Sequence, residues 1–212
     1  MMRIYVACLA SYNSGILHGR WIEATADVDE MQEEIDAMLR ESPCPNVTVA
    51  CTVCEGSGEK TFHNSETGAT RQGPCPSCNG CGTVLSAEEW AIHDTEGLPD
   101  CIGEFSGLEP VAAFVELVED YSYLDAGELA EIVTDFGSVE AARDALEDGF
   151  CGIYDSFRDY ADEYADEMII ACHDQQSGII ARYFDYDAFA RDLAMDMHTI
   201  DLKSGRVAVF HA

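Results

Sequence analysis

The chain has 212 residues, 47% of them apolar, enough to bury a sizeable core in one to three compact units. Its 41 acidic residues face only 11 basic ones, a formal net charge of -30. That balance repels nucleic acid and membrane surfaces and attracts basic partners over a screening length of about 8 Å at cellular salt, so direct nucleic-acid binding is not expected.

No run approaches the ~20 apolar residues of a membrane span. The opening MMRIYVACLASYNSG is too short in its apolar part and too weakly charged for a secretory signal. Ten cysteines without such a signal read as thiols and metal ligands in a reducing compartment, so a cytoplasmic location is expected.

In chain order, RIYVACLA and LHGRWIEA predict two strands joined by the turn-forming SYNSG. A helix follows from about Asp27, where D-V-D-E offers a capping box and Met31, Ile35, Met38 and Leu39 form one apolar stripe. Residues 44–83 are nearly neutral, with three acids against Lys60 and Arg71. TVLSAEEWAIHD is expected to resume the sheet, and DTEGLPDCIGEFSG is a Gly-rich connector. Helical patterns then dominate in PVAAFVELVEDYS, DAGELAEIVTDF, SVEAARDALED and SFRDYADEYADEMIIA, each opened by a residue that helix starts favour. A last helix, DYDAFARDLAMDM, leads into HTIDLKSGRVAVFH, where K-S-G marks a hairpin turn.

The expected fold class is α+β. A small antiparallel sheet plus helix stands at the N-terminus with a zinc-knuckle insertion, followed by an acidic helical middle and a C-terminal α+β unit ending in a hairpin. The expected domains are 1–103, holding the inserted module 44–83, then 104–150 and 151–212.

The acid is unevenly placed: residues 84–212 hold 30 acids and six bases. In the helix from Ser156, the residues Phe157, Tyr160, Ala161, Tyr164, Ala165, Met168 and Ile169 recur at i, i+3, i+4 spacing and predict a core face. The other face carries Asp155, Asp159, Asp162, Glu163, Asp166 and Glu167, with only Arg158 to relieve like-charge neighbours that cost roughly 0.2–0.5 kcal/mol per pair. A face evolved for solubility alone would mix signs, so the repulsion points to a partner that neutralises it. One such stripe sets a charge about every 5 Å, and neighbouring stripes could approach the one charge per ~1.7 Å of duplex DNA. High-salt adaptation also produces acidic, lysine-poor chains, though it should acidify the 44–83 insert as well.

Cys51-x-x-Cys54 and Cys75-x-x-Cys78 stand 20 residues apart, a spacing suited to one structural zinc held by two knuckles. Glycines 56, 58, 80 and 82 allow tight turns that aim amides at the sulfurs. A redox couple is the alternative use of such pairs. Cys81 is a spare thiol nearby, and Cys44 and His63 are weaker substitute ligands. Both CTVCEGSG and CPSCNGCG resemble the CxxCxGxG repeat of DnaJ-type co-chaperones, although no His-Pro-Asp signature is present. Two repeats suffice for one Zn2+, and a four-cysteine site has no open position for substrate.

Outside the insert, RIYVACLASYNSGILHGRWIEA, EEWAIHDTEGLP, FCGIYDSFRDYADEYADE and YFDYDAFARDLAMD resemble the ArdA antirestriction family. Tyr12, Asn13, Gly15, His18, Gly19, Trp21, Trp90, His93 and Asp94 carry the likeness. The resemblance implies an elongated, acidic homodimer that imitates bent duplex DNA and occupies the DNA-binding channel of type I restriction-modification enzymes, its protein partner. The zinc module departs from that family pattern. The imitating set expected on the acidic helices is Asp120, Asp125, Glu128, Glu131, Asp135, Glu140, Asp144, Glu147, Asp148, Asp155, Asp159, Asp162, Glu163, Asp166 and Glu167. VAVFH is a candidate edge strand for dimer pairing. The competing readings are a zinc-stabilised chaperone-like peptide-binding protein and an acidic halophile-type protein with a structural zinc site.

Trp21, Trp90 and the tyrosines read as packing. His18 and His93 fall on predicted strands, and His173, His198 and His211 are scattered. No P-loop, G-x-S-x-G, H-E-x-x-H or dinucleotide turn is present, and Asp185/Asp187 lack the calcium-loop pattern. No catalytic constellation emerges, so an enzyme is not expected.

Overall fold

The computed structural model describes residues 1–63, 69–171 and 179–212. The chain forms two compact units, one from Met1–Glu96 with Gly103–Ala112, the other from Gly97–Ile102 with Ala113–Ala212. Glu66 and His173 lie outside the described residues.

The first unit is built on the antiparallel sheet β2-β1-β7, with β1 (Arg3–Cys8) between β2 (Gly19–Glu23) and β7 (Trp90–Glu96). As the central strand, β1 buries Ile4, Val6 and Cys8 completely. A helix, Val28–Arg40, packs on this sheet through its buried stripe Met31, Ile35, Met38 and Leu39. The Asp27 carboxylate caps it, accepting from the amides of Asp29 and Glu30 as D-V-D-E predicts. The His18 Nε2–H donates to the Met38 carbonyl at 2.8 Å, tying the loop before β2 to the end of this helix.

Two expectations need correction here. SYNSG does not make a simple turn: Leu9–Asn13 is a single helical turn, and β2 begins only at Gly19, leaving Leu17 exposed. TVLSAEEWAIHD is split. Thr83–Ser86 (β6) leaves the main sheet and pairs antiparallel with Val47–Ala50 (β3), while Trp90–Glu96 alone pairs with β1. The β3–β6 pair forms the neck of the cysteine insert, and Ala87 N–H to Leu39 carbonyl, 3.1 Å, anchors it to the helix. Beyond the cysteines, Glu59–His63 (β4) and Thr70–Pro74 (β5) form a further two-stranded ribbon.

The second unit holds the antiparallel sheet β8-β10-β9, from Phe150–Tyr154, Val207–His211 and Met197–Asp201. The β9–β10 hairpin is the one K-S-G marks, but VAVFH is not an edge. It is the central strand, bonded on both sides within the chain, with Ala208, Val209 and Phe210 buried. β8 was not legible because it is short and contains Gly152 at φ +135. Phe136 and Phe150 pack on Phe210, with ring centroids 5.2 and 5.3 Å away.

The helices run Glu109–Asp120, Ala126–Phe136, Val139–Asp148, Phe157–Tyr164, Ile179–Tyr183 and Tyr186–Leu193, the first starting in the other unit. Asp125, Ser138 and Ser156 cap three of them with side-chain oxygens. After Tyr164 the helix continues as a π-helix over Ala165–Ile170. Across that wider turn Tyr160, Ala161 and Ala165 are buried as expected, and Ile170 is buried too, but Met168 is 58% exposed; the side chain of Ile169 lies outside what the structure describes. A strict 3.6-residue period places Met168 inside.

Candidate functional site

The two CxxCxGxG repeats form a pseudo-symmetric pair. Each folds a loop in which the second glycine's amide points at a sulfur: Gly58 N–H to Cys54 Sγ at 3.3 Å, and Gly82 N–H to Cys78 Sγ at 3.2 Å. Each loop also donates to the other, Cys51 N–H to the Gly82 carbonyl and Cys75 N–H to the Gly58 carbonyl, both 2.8 Å. The glycines are required by space and by backbone. Gly58 and Gly82 have φ of +77 and +81, and a Cβ there would lie 2.4 Å from the Gly80 carbonyl oxygen and 2.3 Å from that of Gly56. The loops touch backbone to backbone.

This contact brings Cys51, Cys54, Cys75 and Cys78 together. All four are buried, and their Sγ atoms lie within 4.8 Å of one another. Sγ of Cys51 is 3.9 Å from that of Cys75, and Sγ of Cys54 is 3.7 Å from that of Cys78. Four sulfurs around a tetrahedral ion at about 2.3 Å would stand about 3.8 Å apart, so the set fits a metal ion. Burial disfavours a thiolate at Cys51, yet bonds from the Cys54 and Val53 amides draw it down to about 6. At Cys78 burial dominates, and the neighbouring thiols Cys54 and Cys75 help hold it up at about 11 against the Gly82 and Gly80 amides. Four thiolates this close would repel one another, and a bound cation would neutralise them.

Cys44 and His63 are outside the cluster. Cys81 occupies in the second loop the place of Ser57 in the first. Its thiol lies 2.8 Å from the Cys78 carbonyl, as the Ser57 hydroxyl donates to Cys54 at 2.6 Å. The apolar core of the insert is the four cysteines with Val84 against them.

The expected acids fall into three groups. Asp120, Asp125, Asp135, Glu140, Asp144, Glu147, Asp148, Asp155, Asp159, Glu163, Asp166 and Glu167 are exposed, and Glu131 and Asp162 are half-buried. Glu128 is the exception and leaves the set: it is 5% exposed. Arg206 Nη2 donates to it, as do Arg206 Nε at 3.0 Å and the Ser204 hydroxyl at 2.7 Å, so its charge is spent inside the fold. Nothing in A-G-E-L-A distinguishes it from an outward residue, since its partner lies 78 positions away.

Several of these acids also have partners within the fold. Asp120 pairs with Arg143, Asp162 with Arg158, Glu131 with Lys203 and Asp135 with His198. Asp125 caps its helix, Asp159 accepts the Ser156 hydroxyl, and Asp166 accepts from Tyr186. By contrast, Glu140, Asp144, Glu147, Asp148 and Glu163 make no ion pair among the described residues. The helix Val139–Asp148 buries Val139, Ala142 and Leu146 and turns those first four acids to solvent, with 140/144 and 144/148 as like-charge i,i+4 pairs. The helix from Phe157 repeats the pattern at 159/163 and 163/167.

No helix among the described residues is long and apolar enough to cross a membrane. The nine described cysteines are free thiols.

One unit carries the four-cysteine, metal-type cluster, and the other presents exposed acids on its helices. The family model for "Antirestriction protein (ArdA)" matches residues 4–208, and the chain belongs to this family. No curated protein matches it.

Proposed function

We propose that this antirestriction protein imitates duplex DNA with surface carboxylates and blocks the DNA-binding channel of type I restriction-modification enzymes, acting as a cytoplasmic homodimer. The observation that carries the reading is the set of exposed acids that make no ion pair among the described residues, Glu140, Asp144, Glu147 and Asp148 on the helix Val139–Asp148 and Glu163 on Phe157–Tyr164. Carboxylates replace phosphates, so the basic channel releases its counterions to a protein surface, and affinity falls steeply with salt. Base edges have no counterpart among carboxylates, so inhibition is independent of the enzyme's recognition sequence. The imitating set is the expected one without Glu128.

One structural zinc ion completes the cysteine cluster in this reading. Cys51, Cys54, Cys75 and Cys78 would hold it, and the ion would supply charge neutralisation and folding free energy rather than catalysis. The working division into domains is 1–103 with its insert, 104–150 and 151–212.

The test is DNA cleavage and methylation by a type I enzyme at increasing protein and increasing ionic strength. Stoichiometric inhibition that weakens with salt is expected. Undiminished cleavage at excess protein in low salt, across several such enzymes, contradicts the proposal.

A further inference from the structure

Among the described residues, seven of the eleven basic side chains are held by a carboxylate within 4.0 Å. Lys60 and Arg71 are two of the four that are not, and both sit on the β4–β5 ribbon. Its register pairs Lys60 with Gly73 and Phe62 with Arg71. Side chains alternate along a strand, and directly opposed residues share a face. Lys60, Phe62, Arg71 and Gly73 therefore occupy one side of the ribbon, and Glu59, Thr61 and His63 the other.

The Phe62 ring lies against Gly73: a Cβ built there would be 3.4 Å from Phe62 Cε2, ordinary van der Waals contact. The ring rests over the bare glycine, Phe62 is 43% exposed, and among the described residues no aromatic ring or cation is stacked on it. The result is a flat aromatic platform with an unpaired cation on either strand. Its mount is firm, because Gly58 and Cys75 at the ribbon's base are joined by a 2.8 Å backbone bond within the cysteine cluster.

We propose that this face binds single-stranded nucleic acid, one base stacking on Phe62 while Lys60 and Arg71 take the flanking phosphates. Charge complementarity selects a polyanion, and the open ring selects one with planar groups free to stack. A carboxylate surface, such as a second copy of the chain, would satisfy the two cations and leave Phe62 bare. A duplex keeps its bases stacked inside. The acidic body repels the strand, so contact is confined to the ribbon and is weak and salt-sensitive.

The test uses the intact, metal-loaded chain and a fluorescein-labelled thymidine oligonucleotide followed by anisotropy at low salt. An abasic oligonucleotide of equal phosphate number and a blunt duplex serve as comparisons. Thymidine should bind best, and Phe62→Ala should weaken it by about 5- to 100-fold. The joint substitution Lys60→Gln, Arg71→Gln should reduce the slope of log affinity against log salt by about 1.4, the value for two phosphate contacts on a single strand. Unchanged metal content shows that the variants keep the module. Equal binding of abasic and thymidine strands, insensitivity to Phe62→Ala, or no binding at low salt overturns the proposal. So does self-association of the chain that the Lys60 and Arg71 substitutions abolish, which assigns the face to a second copy. None of these measurements involves a restriction enzyme, so failure here leaves the DNA-imitation reading standing.

Discussion

The cysteine insert and the acidic helices reach order by opposite routes. In the insert, the β4–β5 ribbon is exposed at nearly every position and the buried centre is four sulfurs with Val84 against them. Backbone contacts between glycines and a metal-type cluster replace an apolar core. In the helical region, Phe114, Leu117, Leu129, Ile132, Val133, Ala142 and Leu146 are buried, and this interior tolerates acids crowded on the outside. Where order comes from a buried stripe, the surface is free to carry one sign of charge at a cost of tenths of a kcal/mol per pair. Where order would come from four ligands, the loss of one ligand should cost far more than the loss of one surface charge.

The largest expected effect is therefore at the cluster. Cys75→Ser, or chelation, should unfold the insert, since metal binding of this kind is worth about 10–16 kcal/mol of folding free energy. Amide exchange should rise throughout the β3–β6 neck and the ribbon, while β1 keeps its pairing to β2 and β7. Global unfolding on metal loss would break the contrast between the two regions.

Next is Arg206→Ala. It leaves Glu128 charged and enclosed, and because Arg206 itself is 44% exposed the loss of stability should be about 2–3 kcal/mol, below that of a fully buried pair. Chemical denaturation measures it. Glu128→Gln in the same background should recover part of the loss, because the uncompensated charge is gone.

Gly82→Ala should lower metal affinity about 10- to 100-fold, through the clash with the Gly56 carbonyl and the disturbed amide bond to Cys78. Competition with a chromophoric chelator reads this directly. Glu163→Gln goes the other way, removing its repulsions with Asp159 and Glu167. It should stabilise the fold by roughly 0.5 kcal/mol while barely changing inhibition, because the proposed imitation spreads its charge over many carboxylates.

The smallest effect is at Asp187, whose carboxyl is held below the usual range by the hydrogen bond from Arg158 and then by its charge. A depressed native value contributes stability above the unfolded pKa of Asp and loses it as pH falls through the native one. Carboxyl NMR titration of Arg158→Gln should show Asp187 moving up towards the ordinary range.

Much of this was legible because it is local. The Met31–Leu39 stripe, the Asp27 cap, the K-S-G hairpin and the four cysteines are each written within a few residues of spacing. What was not legible depends on distant or irregular geometry. Thr83–Ser86 alternates like any strand, and only its partner at Val47–Ala50 removes it from the main sheet. The π-helix at Ala165 leaves Met168 exposed and Ile170 buried, a change no periodic template contains. Glu128 reads as one acid among many until Arg206 and Ser204 are folded against it. At the cysteine site the ligands were visible, but the reciprocal Gly58–Gly80 and Gly82–Gly56 contacts that set them face to face were not.

The central claim is that outward carboxylates on two helices stand in for a phosphate backbone. Its most direct measurement is displacement of labelled DNA from a type I restriction-modification enzyme by a variant carrying amides at Glu140, Asp144, Glu147, Asp159, Glu163 and Asp166. The account predicts that displacement is lost while the melting temperature holds or rises. Displacement equal to that of the unaltered chain would contradict it.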